Sequence, residues 1–480
     1  MGFNFTQKIL TVCILALFAF ITLPREYYTE DLVIHIPVLT MRVDASSFSS
    51  DYFRQFHLAD LNPSIYYPVL EMFYSIFSGY APIIFDVLRF FYLLNLFLVL
   101  LLLSRQLQIP FFVYVIFTLL LTSHIQIGGS GISIIESEFI SRGVGLVLVL
   151  YSYYFWLTKK YKTALLVFTG AIAMHGMTAF FAVWIGFIGL LYKYRNKLGL
   201  VGILIIISNG IALWIFASPV DPAWLSVLRI RNSYAFIDSW STKAWINLGL
   251  ILAPGLLHLF MVKAKSKWRS MIVPVYVSAL LLLIVQFFFT TIKPIYPAIV
   301  LQLGRIWLFP ALVSLLALAH LITLFSKRFN KIFVVIGVGI FVLLVNNRQQ
   351  IKAQTAQLKP WFDVQAWARN NTNQRCIFLV PFFSKGFRVE SKRSIIGEYK
   401  DGTLSFYSRD FALEWVKRFK MLQNWEELNS KALIELANLY HFDYFVLAKE
   451  KNFTAFPIRY SNDAYVIQSI TDTSECEQDL

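Results

Sequence analysis

Six of the 28 acidic side chains in this 480-residue chain fall in one short stretch, residues 24–64: Glu26, Glu30, Asp31, Asp44, Asp51 and Asp60. Carboxylates gathered beside an apolar segment suit two kinds of chemistry, taking a proton from a hydroxyl or holding a divalent cation. A solvated acidic loop is the plain alternative. A second group is mainly cationic. Arg142, Arg229, Arg231, Arg305 and Lys293 stand near the ends of apolar runs, with Glu136, Glu138 and His175, where charge is costly. Guanidinium groups grip phosphate bidentately, so the set suits a phosphate or pyrophosphate. Taken singly, each arginine can instead snorkel to lipid headgroups or pair with a nearby acid. His175, in Ile172-Ala-Met-His175-Gly-Met, reads as a helix-packing residue or as a group lining a cavity.

The elements that must position these groups are set by composition. Hydrophobic residues make up 57 % and charged residues 15 %, against about a quarter charged in soluble proteins. Apolar runs recur from residue 9 to residue 346, and such runs need lipid as solvent. The chain therefore reads as an α-helical polytopic membrane protein. Its net charge of +15 does not argue for a nucleic-acid partner, because of where the charge lies. Arg105, Lys159-Lys160-Tyr-Lys162, Lys193-Tyr-Arg195-Asn-Lys197, Lys263 to Arg269 and Lys327-Arg328-Phe-Asn-Lys331 contain no acid, the bias of cytoplasmic loops.

Placing every basic cluster in the cytoplasm predicts about eleven spans with the N-terminus inside. They are 7–23, 84–103, 110–127, 139–157, two short helices within 163–192, then 198–217, 243–262, 271–290, 304–325 and 332–346. The first reads as a retained signal anchor. Residues 163–192 are too few for two full crossings, so the short pair is expected to meet at His175-Gly176. Residues 65–82 read as a segment lying in the interface. The acidic loop 24–64 then faces outward, as does every other acid between spans. Gly128-Gly129-Ser130-Gly131 lacks the Gly-Lys-Ser/Thr of a phosphate loop and reads as a flexible external turn. Tyr27, Tyr28, Tyr66, Tyr67 and Trp240 suit an interfacial belt or a sugar-stacking surface.

The character changes at about residue 350. Residues 1–349 form the transmembrane domain, and 350–480 a small external α/β domain. Helices are expected from Pro360, over 409–422 and over 430–440. Strands are expected at 376–380, 394–399, 443–448 and 464–468, with a turn at Asp401-Gly402. The loop from Pro381 to Arg393, with Lys385, Arg388, Glu390 and Lys392, would cap the membrane domain or bind an acceptor. Three cysteines occur without zinc-site spacing, and whether Cys376 and Cys476 pair is open.

An acidic first external loop, many spans and a C-terminal external α/β domain resemble the GT-C superfamily of polytopic glycosyltransferases, and more closely uncharacterised bacterial membrane proteins near it. The matching stretches are His35-Ile-Pro37 with Asp44-Ala-Ser-Ser-Phe-Ser-Ser-Asp51-Tyr-Phe, Glu138-Phe-Ile-Ser-Arg142 and Met174-His175-Gly176. The tail adds Trp367-Ala-Arg-Asn-Asn-Thr372, Phe378-Leu-Val-Pro381, Phe387-Arg388, Ser391-Lys-Arg393 and Glu414-Trp415-Val-Lys-Arg418. No Asp-x-Asp pair or Trp-Trp-Asp occurs, which sets the chain apart from oligosaccharyltransferases. The resemblance implies sugar transfer from a polyprenyl-phosphate donor to a saccharide, lipid or protein acceptor, at the outer face of the bacterial cytoplasmic membrane. Asp51 and Asp44 become the candidate catalytic acids, with Glu30 and Asp31 behind them. Arg142, Arg305 and His175 would hold the lipid phosphate, with Glu138, Arg229 and Arg231 as further substrate-binding candidates. A divalent metal ion is the one cofactor such a site would take. A transporter or flippase of lipid-linked saccharides, or an envelope-assembly scaffold, are the other readings. A transporter predicts matched inverted halves, and none is visible.

Overall fold

Apolar helices account for most of the chain. The computed structural model describes residues 4–23, 31–44, 46–57, 64–77, 81–123, 125–263, 266–324 and 358–471. The chain divides into two units. One takes in Met1–Pro24, Phe85–Leu225 and Asn232–Arg348; the other Arg25–Ile84, Ser226–Arg231 and Gln349–Leu480. Among the described residues, seven helices are long and apolar enough to cross a membrane: Phe5–Thr22, Pro82–Gln106, Gly176–Lys193, Arg195–Phe216, Thr242–Met261, Lys267–Ile292 and Tyr296–Leu324. The span expected at 332–346 lies outside the described residues. That expected at 110–127 shortens to Phe111–Leu121, because an antiparallel bridge between Gln126 and Ser133 takes over the backbone beyond it.

Local signals explain the boundaries in the first unit. Asn4 and Gln7 form a reciprocal capping box before Phe5–Thr22, and Ser241 and Ser266 accept from the third residue of their helices, which satisfies donors that have no intrahelical partner. Tyr161–Met174 and Gly176–Lys193 meet at His175, whose backbone is extended (φ −154°, ψ 90°). The His175 ring caps the second helix, its Nδ1 accepting from Thr178 N at 3.2 Å. Close helix approach at this junction rests on glycine. A Cβ on Gly145 of Ser141–Leu157 would stand 2.9 Å from His175 Cβ, and one on Gly143 would stand 3.0 Å from the Tyr92 ring. The last described span is broken by Gln302 in the left-handed region (φ 46°) and a 3₁₀ turn, Leu303–Trp307.

The second unit holds a five-stranded sheet in the order β2-β1-β3-β5-β4. The strands are β1 Ile377–Leu379, β2 Ser394–Ile395, β3 Tyr444–Ala448, β4 Ile458–Ser461 and β5 Tyr465–Ser469. β1 runs parallel to β2 and β3, and the β3–β5 and β5–β4 pairs are antiparallel. Side chains alternate between faces along a strand, and here both faces are covered. Phe378, Tyr444, Val446 and Ile467 pack with Trp361, Val364 and Phe387 on one side. Leu379, Phe445, Leu447 and Val466 pack with Trp425 and Leu433 on the other. Burial on both faces is why β3 reads as an unbroken apolar run. The helices Lys359–Asn371, Arg409–Leu422 and Ser430–Tyr440 cover the sheet. The strand expected at 394–399 stops at Ile395, because Glu398 and Asp401 cap one another's backbone and start a 3₁₀ run, Tyr399–Phe406. Residues 31–57 belong to this unit too, as the helix Leu32–Val43 and a short turn, Tyr52–Gln55, capped by Asp51.

Crowding the helix junction should be costly, whereas the same change in open space should not. Gly145→Val is expected to destabilise the purified protein by about 1–3 kcal/mol, read as a lower thermal midpoint in detergent. Gly186→Val, which meets nothing within 4 Å, should leave the midpoint in place.

Candidate functional sites

In the second unit, one guanidinium gathers three carboxylates. Arg388 lies in the short helix Phe387–Ser391 and is 1 % exposed. Its Nε donates to Asp51 Oδ2 at 2.6 Å and its Nη2 to Asp51 Oδ1 at 3.1 Å. Its Nη1 and Nη2 donate to Asp401 Oδ1 and Oδ2 at 2.8 and 3.2 Å. Glu398 Oε1 approaches Nη1 at 3.8 Å. The Phe53 ring lies beneath the guanidinium, 4.2 Å away. Tyr52 donates its hydroxyl to Asp401 at 2.6 Å and lies 4.3 Å from the guanidinium of Arg418, whose Nη1 donates to Ile396 O at 2.6 Å. Asp51 has further work: Oδ1 accepts from Phe53 N at 3.0 Å and Oδ2 from Ile395 N at 3.2 Å.

The charge balance fixes where protons sit. Burial works against a charged Arg388, but Asp401 and Asp51 outweigh it and hold the guanidinium protonated. Burial, then repulsion from Asp401, pushes Glu398 up to about 8 from its ordinary 4.5. Burial raises Asp401 as well, against the pull of Arg388. The proton belongs on Glu398, because Asp401 is hydrogen-bonded to the guanidinium and Glu398 is not. Burial and the neighbouring Asp401 raise the Tyr52 phenol, which keeps it a donor. Three carboxylates around one point would suit a divalent cation, but the guanidinium occupies that centre. No group of three or more His, Cys, Asp or Glu side chains is arranged to hold a metal ion among the described residues.

The other acids of the first loop behave differently. Asp44 is exposed; the Ser47 hydroxyl, then that of Ser46, lower its carboxyl to about 2. Asp31 pairs with Lys400 at 3.1 Å. Glu30 lies outside the described residues, as do Glu26 and Asp60. Arg231 donates to Tyr399 O at 2.9 Å and Thr403 Oγ1 at 2.6 Å and lies over the Tyr399 ring; Arg229 is half-buried in the same unit. Cys376 is buried, and Cys476 lies outside the described residues.

The first unit holds the second cluster. Arg142 makes a bidentate pair with Glu136, at 2.6 and 2.9 Å, and Glu136 N donates to the Tyr92 hydroxyl at 3.2 Å. His175 bonds Thr178 Oγ1 through Nδ1 at 2.8 Å. Arg142 and Arg305 both lie close enough to act on the His175 ring electrostatically. Arg305 stands over the Tyr234 ring at 5.2 Å, and Glu138 is buried nearby in sequence, 4 % exposed. The structure thus places Arg142, His175 and Arg305 in one unit, while Asp51, Asp44, Asp31, Arg229 and Arg231 belong to the other.

Sequence reasoning missed Arg388, Glu398, Asp401 and Tyr52 as one group. The one local signal was an arginine between Phe387 and Val389, an apolar setting that marks a buried charge. Residues 359–422, which include all of this group but Tyr52, match a family described as a domain of unknown function (DUF6798). No curated protein matches the chain.

Two measurements check this arrangement. Asp51→Ala and Arg388→Ala should each cost about 3–5 kcal/mol, because each strands a buried charge. The double variant should fall well short of the sum in urea unfolding of the whole protein; additive losses would show that the two do not interact. Glu398 has a folded value above its ordinary one, so its contribution to stability is complete below about pH 4.5 and is lost as pH rises through about 8. Hydrogen exchange over residues 394–406, corrected for intrinsic rate, should quicken across that window, and Glu398→Gln should flatten the dependence.

Proposed function

We propose that the protein is an inverting glycosyltransferase of the bacterial cytoplasmic membrane that takes a sugar from a polyprenyl-phosphate carrier and passes it to an envelope glycan, lipid or protein. In this reading the N-terminus is cytoplasmic, and the first loop and the C-terminal α/β domain are external. The observation that carries it is the break between two apolar helices at His175, whose ring caps the second of them, with Arg142 and Arg305 of the same unit within electrostatic reach of that ring. Irregular backbone at membrane depth is tolerated where it lines a cavity. As the bond from sugar to lipid phosphate breaks, negative charge collects on the phosphate oxygens, and guanidinium groups held in place beforehand stabilise it. Glu136 orients Arg142 and Tyr234 supports Arg305. A lipid-linked donor needs no nucleotide, which suits the absence of a nucleotide-binding motif in the sequence.

Of the two acids put forward as the base, Asp44 has the exposed carboxylate, ionised throughout the neutral range. Asp51, with both oxygens on Arg388, is assigned the task of holding its unit together. A transporter of lipid-linked saccharides is the second reading, and the broken helix pair at His175 favours it.

The test supplies the purified protein in liposomes with labelled polyprenyl-phosphate sugars and membrane acceptors. Transfer is expected, with kcat/KM lowered about 10²–10³-fold in Arg142→Gln and Arg305→Gln. Carrier movement across the bilayer without any transfer would replace the enzyme with the transporter.

A further inference from the structure

The Gly128-Gly129-Ser130-Gly131 stretch is not a loose turn. It closes the Gln126–Ser133 bridge, with Ile127 N donating to Ile132 O at 3.0 Å. Ser130 is buried, and its hydroxyl donates to Ile127 O at 2.6 Å. Gly128 sits at φ +54°, and a Cβ on Gly129 would lie 2.4 Å from Trp240 Cγ. The bare backbone is thus pressed onto the indole. Trp240 is fixed in turn, its Nε1 donating to Tyr234 O at 3.2 Å, while the Tyr234 hydroxyl donates to Asn232 Oδ1 at 3.1 Å.

These walls, with the start of Thr242–Met261, bound a cavity of about 370 Å³, within the size range of small-ligand sites. Besides Trp240 and Tyr234, its polar lining is Gln126, Ser233, Ser239, Ser241, Lys243 and Asn247, all six solvent-exposed. Two amides and three serine hydroxyls can each donate and accept. Lys243 is the one charged side chain in the lining, and no acid faces it there. Such a lining matches a ligand rich in hydroxyls that also carries negative charge.

We propose that this cavity binds an anionic saccharide: the amides and hydroxyls meet the sugar hydroxyls, Lys243 meets the phosphate or carboxylate, and the Gly128-Gly129 backbone with Trp240 and Tyr234 forms the rigid wall. The role of this cavity as a substrate subsite rests on the glycosyltransferase reading; the binding itself does not.

The test is saturation-transfer NMR on the full-length protein in detergent, with glucose 1-phosphate, glucuronate and methyl glucoside as probes and inorganic phosphate as competitor. One or both anionic sugars should bind at least about tenfold more tightly than methyl glucoside, the worth of one charge-assisted hydrogen bond. Lys243→Gln should remove that margin with the thermal midpoint unchanged, and Gly129→Ala should abolish binding by displacing Trp240. No saturation transfer from either anionic sugar overturns the proposal. So does phosphate that competes as tightly as glucose 1-phosphate binds, since that marks a bare anion site. Binding without sugar transfer in the donor assay overturns the enzyme and leaves this site standing. Transfer undiminished in both variants overturns the subsite role and leaves the enzyme.

Discussion

One buried guanidinium organises the second unit. Arg388 makes four hydrogen bonds to two aspartates that are 337 and 13 residues away in the chain. Removing such charges from water costs several kcal/mol per ion, and mutual attraction offsets this only with good geometry and full pairing. The geometry here supplies both, through planar bidentate contacts and an aromatic ring below the cation. What it secures is arrangement more than raw stability. Asp51 also accepts from Ile395 N, on the edge strand β2, so a side chain from the first loop closes an edge that would otherwise be open to pairing. Asp401 starts the 3₁₀ run and receives Tyr52. Loop, edge strand and turn share one charge centre.

The first unit solves a different problem. Its polar groups must be held among apolar helices, and close packing does the holding. Gly143 and Gly145 let one helix approach Tyr92 and His175 within contact distance. His175 spends its ring nitrogen on the helix that follows it. Arg142 is aimed by Glu136. The chemistry expected of these residues depends on helix-to-helix distances that one added methyl group would alter.

Much of the architecture was legible because it follows local periodicity. The helices expected at 409–422 and 430–440 occupy those bounds, since apolar residues recur there every three or four positions. The junction at His175 lies where it was expected, but only Tyr161–Met174 is short. Gly176–Lys193 is long and apolar enough to cross a membrane, so the residue count held for one helix of the pair. Strand β4 was not foreseen, because Ile458-Arg-Tyr-Ser is half exposed and lacks clean alternation. The charge centre was hidden for a plainer reason. Asp401-Gly402 carries the local signature of a solvent turn, yet Asp401 is 1 % exposed. The crowd of acids in the first loop suggested chemistry, whereas the partner of its central member lies hundreds of residues away, beyond the reach of any local pattern. The Gly128–Gly131 stretch misled in the same way, since its rigidity comes from Trp240.

The separation between Asp51 and Arg388 has a consequence for biogenesis. Asp51 leaves the ribosome 337 residues before the arginine that neutralises it, a delay of roughly 20–70 s at 5–20 residues per second. Every described helix of membrane-crossing length after the first is synthesised in that interval. Throughout it, the Asp51 carboxylate lacks the guanidinium that it pairs with in the finished fold. A chain that stops before residue 388 therefore carries an N-terminal segment whose charge centre cannot close.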